Sequence, residues 1–140
     1  MLGGEYRHNL DPKNRIFIPA KLREELGATF VVAKDIREKC LKVYSQEGWE
    51  KYITPLREQK RKLSEKILRF LHASLAQVTP DSQGRIVLPP ELVQHAEIEK
   101  NVVIVGCCDY AEIWAEANYQ AKIESEDIEQ LRRVLEGYGL

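Results

Sequence analysis

The chain has 140 residues, 44% hydrophobic and 31% charged, the balance of a globular protein with one core or two small ones and not of a fibre or a disordered tail. No run nears the roughly 20 apolar residues of a membrane helix, and Met1-Leu2-Gly3-Gly4-Glu5-Tyr6-Arg7 lacks a basic-then-apolar signal pattern, so the expected location is the cytoplasm, with no membrane partner. The net charge of −1 hides a segregation: residues 1–73 carry 16 Lys/Arg against 10 Asp/Glu (+6) and residues 74–140 carry 5 against 12 (−7), a division that steers an anionic ligand to one part and lets unlike parts of two copies meet.

In chain order, Glu5 to Leu10 alternates weakly and Arg15-Ile16-Phe17-Ile18 is β-branched and aromatic, so both read as strands flanking a tight turn. Asp11 and Pro12 suit the first two positions of a type I turn, and Asn14 tolerates positive φ at the fourth. Pro19 stands where a short helix begins, Leu22 and Leu26 share one face of it, and Gly27 caps its end. Phe30-Val31-Val32 and Val43-Tyr44, the latter followed by Trp49, are the next apolar groups. From Leu56 to Ala73 there is no Gly or Pro, and Leu63, Ile67, Phe70 and Leu71 fall on one face, the pattern of a single amphipathic helix.

The first unit then returns. Asp11-Pro12-Lys13-Asn14-Arg15-Ile16-Phe17-Ile18-Pro19 recurs at an offset of 70 as Asp81-Ser82-Gln83-Gly84-Arg85-Ile86-Val87-Leu88-Pro89, with Leu92 for Leu22, Val102-Val103-Ile104 as an apolar run, and Ile113-Trp114 and Tyr119 for Val43-Tyr44 and Trp49. A unit of about 45 residues buries too little surface to stand alone, so the two copies should pair. Cys107-Cys108 is expected in a strand with the two thiols on opposite faces. With Cys40 they make an odd set without C-x-x-C spacing, which points to neither disulfides nor zinc but to reduced, packed thiols. Residues 111–136 read as helical, and behind Ser125-Glu126-Asp127 the spacing of Ile128, Leu131 and Leu135 marks a terminal amphipathic helix.

The chain carries no phosphate loop, nucleophile elbow, H-E-x-x-H helix or dinucleotide fingerprint, and His8, His72 and His95 share no spacing, so neither an enzyme, a cofactor nor a small-molecule substrate is expected. The repeated Asp-x-x-x-Arg is more informative. One reading is a local ion pair, Asp11 with Arg15 and Asp81 with Arg85, closing each turn. The other is a guanidinium directed at phosphate or a guanine edge, which its planar fork grips with two hydrogen bonds. The readings are compatible, because an Asp that orients its Arg preorganises it. Arg7, His8, Lys13, Lys21 and Arg23 cluster near the first turn, whereas the second has only Arg85, which favours the first as the nucleic-acid contact. Arg57, Lys60, Arg61, Lys62, Lys66 and Arg69 form either a solvated face or further phosphate contacts. Ile16, Ile18, Ile86 and Leu88 are assigned to the core, as are Trp49, Trp114 and Tyr119.

Gly4-Glu5-Tyr6, then Leu10-Asp11-x-Lys13-x-Arg15-Ile16-x-Ile18-Pro19-x-x-Leu22-Arg23, with its second copy Asp81-x-x-Gly84-Arg85-Ile86-x-Leu88-Pro89, closely resembles the bacterial MraZ family of transcriptional regulators over essentially the whole chain. Asn14 stands where family members often have Gly. The resemblance implies an α+β fold: two swapped-hairpin β-barrel modules of the AbrB type, paired as a pseudo-dimer within one chain, with a helix after each repeat. The modules would span 5–52 and 75–120, with a linking amphipathic helix at 53–74 and a C-terminal helix at 121–140. It further implies a homo-oligomeric ring in the nucleoid that binds short direct repeats of double-stranded promoter DNA and represses its own division and cell-wall gene cluster. Arg15, Lys13, Asn14, Arg7 and Arg85 are the expected DNA contacts, with Asp11, Asp81 and Gly84 positioning the turns. The alternatives are an AbrB-like antidote and a structural oligomer that binds DNA without sequence preference.

Overall fold

The computed structural model describes residues 1–59 and 61–140. The first repeat comprises strands β1 (Glu5–Asn9) and β2 (Arg15–Phe17), helix α1 (Ala20–Leu26), and strands β3 (Phe30–Lys34) and β4 (Leu41–Ser45). Helices α2 (Gln46–Glu58) and α3 (Ser64–Ala73) follow. The second repeat is β5 (Ala76–Val78), β6 (Arg85–Val87), α4 (Pro90–His95), β7 (Asn101–Gly106) and β8 (Ala111–Ala115), followed by α5 (Glu116–Glu124) and α6 (Ile128–Gly137). The class is α+β. Six strands form an antiparallel sheet in the order β1-β7-β8-β4-β3-β5, and β2 and β6 form a separate two-stranded ladder.

The pairing shows how units too small to stand alone are stabilised. The first strand of each repeat pairs with the third strand of the other, β1 with β7 and β5 with β3. β2 pairs with β6, and β4 with β8. Equivalent apolar residues of both repeats therefore enter one core: Ile16, Ile18, Leu22 and Phe30 pack with Ile86, Leu88, Leu92 and Val102, all almost fully buried. At about 25 cal/mol per Å² of apolar area removed from water, this shared burial is the main favourable contribution, and neither unit could supply it alone. On the sheet's other face, α2 and α3 cover Val31, Ala33 and Tyr44 with Trp49, Ile53 and Leu71, while Trp114 and Tyr119 pack with Cys40 and Val103.

The local signals act where expected. Pro19 and Pro89 are the residues preceding α1 and α4, and Gly27 closes α1 at φ 91°. In the second repeat Glu97 takes the corresponding positive φ, 55°. Asp127 caps α6 by accepting from the backbone N–H groups of Glu129 and Gln130.

Four expectations are corrected. The single helix over Leu56–Ala73 is replaced by two helices. The first starts earlier because the Ser45 hydroxyl accepts from the Gly48 N–H at 2.9 Å, capping a helix whose Trp49 and Ile53 are buried one turn apart. A straight continuation would carry Ile67, Leu68 and Leu71 away from that cluster, whereas the break folds α3 back onto it. Residues 111–115, expected to be helical, are β8, because Ile113 and Trp114 pair with Ile104 and Val103 and point to opposite faces of the sheet. Cys107 and Cys108 lie beyond the end of β7, in a reversal where the Cys107 N–H donates to the Tyr110 carbonyl at 2.7 Å. Cys40 is buried but Cys108 is exposed, so the thiols are not all packed. Gly106, the last residue of β7, lets the N-terminal segment pass close, since a Cβ there would come within 2.3 Å of the Gly3 backbone.

Candidate nucleic-acid interface

Each repeat folds its Asp-x-x-x-Arg into the same clip. In the first, Asp11 Oδ1 accepts from the backbone N–H groups of Lys13 (2.9 Å) and Arg15 (2.8 Å), and Oδ2 accepts from Arg15 Nε (2.6 Å). In the second, Asp81 accepts from the N–H groups of Gln83 and Arg85, both at 2.9 Å, and from Arg85 Nε at 3.0 Å. The backbone closes each turn: Asn14 donates to the Asp11 carbonyl at 3.0 Å and Gly84 to that of Asp81 at 2.9 Å. Asn14 and Gly84 take the positive φ that the turn demands, 59° and 80°. Both carboxyls are held below the ordinary carboxylate range, chiefly by the N–H of the following arginine, with its side chain also contributing.

The turns are also tied to each other. The Ile18 N–H donates to the Gly84 carbonyl at 2.9 Å, and the Leu88 N–H to the Asn14 carbonyl at 2.8 Å. In the ladder Arg15 faces Val87 and Phe17 faces Arg85. Because side chains alternate along a strand, Arg15, Phe17, Arg85 and Val87 share the outer face, while Ile16 and Ile86 point into the core. The turns thus present two arginines on one surface. Each engages its carboxylate through Nε alone, which leaves both Nη groups without a hydrogen-bond partner among the described residues.

The surroundings of this face were only partly legible. Phe17 was not singled out, yet it organises the first repeat's side: the His8 ring lies 5.2 Å from it and the Arg23 guanidinium 5.7 Å over it. Arg23 Nε donates to the Ile18 carbonyl at 2.8 Å. Gly84 seats this cluster, since a Cβ there would come within 2.9 Å of Arg23 Cζ and 3.0 Å of the Phe17 ring. The signal available was the repeat itself: at the offset of 70, His8, Phe17 and Arg23 correspond to Val78, Val87 and Val93. A position polar or aromatic in one copy and apolar in the other marks where the copies differ in task.

Lys13 is exposed in the first turn beside Asn14. Arg7 stands apart from both. It faces Val103 across the β1–β7 ladder, on the face that packs with Trp114 and Tyr119, and its guanidinium pairs with Glu5. The Glu5 carboxylate also accepts from the Tyr119 hydroxyl at 2.5 Å, which is the main reason its pKa is lowered and that of Tyr119 is pushed up to about 12. Arg57 pairs with Glu50 at 2.7 Å on α2, and Lys62, Lys66 and Arg69 lie around α3, away from the ladder; Lys60 lies outside the described residues.

His72 and His95 serve the packing. His72 accepts from Trp49 Nε1 at 3.1 Å, and His95 Nε2 lies 2.9 Å from the Asp35 carbonyl. Among the described residues no helix is long and apolar enough to cross a membrane, and no three His, Cys, Asp or Glu side chains converge as metal ligands would.

Comparison with known proteins follows the same division into repeats. The family described as "MraZ protein, putative antitoxin-like" matches twice, over residues 1–71 and 69–134. The transcriptional regulator MraZ of Caldanaerobacter subterraneus subsp. tengcongensis is 36% identical over the full length of both chains. That of Ligilactobacillus salivarius is 41% identical over 86% of this chain and 85% of its own. That of Moorella thermoacetica is 38% identical over 86% of this chain and 85% of its own. The two clips, their joined ladder and a likeness that runs the whole length agree, and the chain belongs to the MraZ family.

Proposed function

We propose that this protein is a sequence-specific DNA-binding transcriptional regulator, acting as a homo-oligomeric ring that represses its own division and cell-wall gene cluster. The observation that carries the reading is the outer face of the β2–β6 ladder, where Arg15 and Arg85 are held by Asp11 and Asp81 with their Nη groups directed away from the clip. A guanidinium fixed in advance loses little freedom on binding and offers two parallel donors to phosphate or to guanine O6 and N7. Arg15, with Lys13 and Asn14 beside it, makes the principal contact, Arg85 a lesser one, and Arg7, already paired with Glu5, the least.

The same reading treats the exchanged strands as two AbrB-type modules at 5–52 and 75–120 that form an intrachain pseudo-dimer, with a linking segment at 53–74 and a terminal one at 121–140. Double-stranded promoter DNA is the partner and the nucleoid the site of action. A ring presents several copies of the first turn, and matching their spacing to repeated operator sites raises avidity by about 10²–10⁴ over one contact. Occupying the promoter suffices for repression.

The test is binding to a labelled duplex from upstream of the protein's own gene and to a scrambled duplex of equal length, across a salt series. Preference for the natural duplex, with log affinity falling against log salt by about 0.9 per phosphate neutralised, is the expected result. Equal, weak affinity for both would overturn sequence specificity and leave a structural or nonspecific role.

A further inference from the structure

Each clipped arginine stands directly opposite an apolar side chain contributed by the other repeat: Arg15 faces Val87, and Arg85 faces Phe17. The two apolar partners are not equally free. Phe17 is half-buried, with the His8 ring 5.2 Å away and the Arg23 guanidinium 5.7 Å over its own ring. Val87 is 58% exposed, and of the six residues in the ladder it is the exposed one.

The chemistry beside Val87 selects its partner. The same face carries Arg15 and Arg85 with their Nη groups unbonded among the described residues, and Lys13 is exposed in the adjoining turn. The carboxylates of the two turns, Asp11 and Asp81, each already accept from their own arginine. An apolar side chain among cations suits a polyanion that itself displays an apolar group. In the major groove of a duplex that group is the C5-methyl of thymine, while guanine presents O6 and N7 to a guanidinium. Directly opposed side chains on a ladder lie about 4.5–5.5 Å apart at Cβ and successive bases about 3.4 Å apart along a strand, so a guanidinium on one base puts its apolar neighbour against the next.

We infer that Val87 is a specificity-determining residue that packs on the methyl group of a thymine next to the guanine contacted by Arg15. This rests on the reading of the protein as a sequence-specific DNA-binding regulator, and it adds a base that a guanidinium alone does not select. The principal contact is then composite: the first repeat supplies the cation and the second repeat the apolar surface beside it. Arg85 lacks the same help, because Phe17 opposite it is engaged by His8 and Arg23.

The test compares the duplex from upstream of the protein's own gene with the same duplex carrying deoxyuridine at every thymine, which removes the methyl groups and keeps every base pair. Fluorescence anisotropy reads both affinities at one salt concentration. Wild type should bind the deoxyuridine duplex about four-fold more weakly per Val87 contact, the worth of one methyl group taken out of water. Val87→Ser should bind both duplexes alike, as weakly as wild type binds the deoxyuridine one, and Val87→Ile should keep the wild-type ratio. Circular dichroism and light scattering should show both variants folded and of wild-type mass, as expected at an exposed position. In wild type, replacing thymines singly should confine the loss to a thymine beside a guanine. Equal wild-type affinity for the two duplexes, an undiminished ratio in Val87→Ser, or a loss only at thymines with no guanine beside them would overturn the inference. If the natural duplex is then still preferred to a scrambled one, the regulator reading stands without Val87. If wild type prefers neither, the regulator reading itself falls and the inference with it.

Discussion

The two turns share a skeleton and differ in surface. Their backbone clips agree to within 0.1 Å, with Asp Oδ1 at 2.8–2.9 Å from each N–H it accepts. Around the first stand His8, Lys13, Phe17, Lys21 and Arg23; the corresponding residues of the second are Val78, Gln83, Val87, Glu91 and Val93. The geometry is preserved because the turns are bonded to each other, so a distortion of one is transmitted to its partner through Ile18–Gly84 and Leu88–Asn14. Among the described residues no hydrogen bond links the outer side chains of one turn to those of the other. The duplication therefore retains a symmetric frame and concentrates charge at one end of it.

If that asymmetry sets the DNA contact, Arg15→Ala has the largest effect. Loss of a bidentate guanidinium costs about 1–3 kcal/mol per base contact, and several copies on one operator multiply the loss, so specific binding should vanish in a gel-shift or anisotropy titration while mass and fold remain. Arg85→Ala should weaken the same titration by less. A greater loss from Arg85→Ala would reverse the comparison and make the second turn the reader.

Next in size is a stability effect. Gly84 combines φ 80° with a side-chain cradle, so Gly84→Ala meets both the left-handed penalty of about 1–2 kcal/mol and the Arg23 guanidinium. Arg23 is anchored on the Ile18 carbonyl and cannot simply swing away. Urea unfolding should show a lower midpoint with an unchanged slope; an unchanged midpoint would mean that the cradle accommodates a methyl group.

Positive φ at position 84 was legible because turn chemistry is local: Asp, three residues and Arg suffice to specify it. The caps of α1 and α6 were legible for the same reason, and the need for the repeats to share a core followed from the small size of each unit. The break between α2 and α3 was not, since Leu56 to Ala73 satisfies helical spacing throughout and only the Trp49–Ile53–Leu71 cluster determines where the chain turns back. Ile113 and Trp114, read as helical with the residues after them, are strand because β7, a partner absent from local spacing, supplies their ladder. The Phe17–Arg23 contact depends on a glycine from the other repeat, a non-local relation that spacing within one repeat cannot reveal.

A smaller effect lies at acid pH and should be alike in both turns. The Asp11 and Asp81 carboxyls titrate below their ordinary values in the folded chain. A depressed folded pKa contributes stability that is present above the unfolded value, about 3.9, and lost as pH falls through the folded one. Neutral-pH binding is therefore insensitive to these groups, and both clips loosen together in acid. Carboxyl shifts followed by NMR should give two midpoints below about 3.9; a midpoint near 3.9 for one alone would show that only the other clip is formed in solution.

The smallest stability change belongs to Asn14→Gly, which makes the first turn resemble the second. Glycine removes the residual cost of φ 59° but adds freedom to the unfolded chain, and the two nearly cancel, so the unfolding midpoint should move by no more than about 0.5 kcal/mol equivalent. The variant thereby separates Asn14 as a turn residue from Asn14 as a DNA contact. Its backbone N–H and carbonyl bonds to Asp11 and Leu88 survive the change, and only the amide is lost. Unaltered specificity would leave the first turn's advantage to its cations. A fall in affinity for the natural duplex alone, with the scrambled duplex unaffected, would place the amide on a base edge and add a second point at which the two turns diverge.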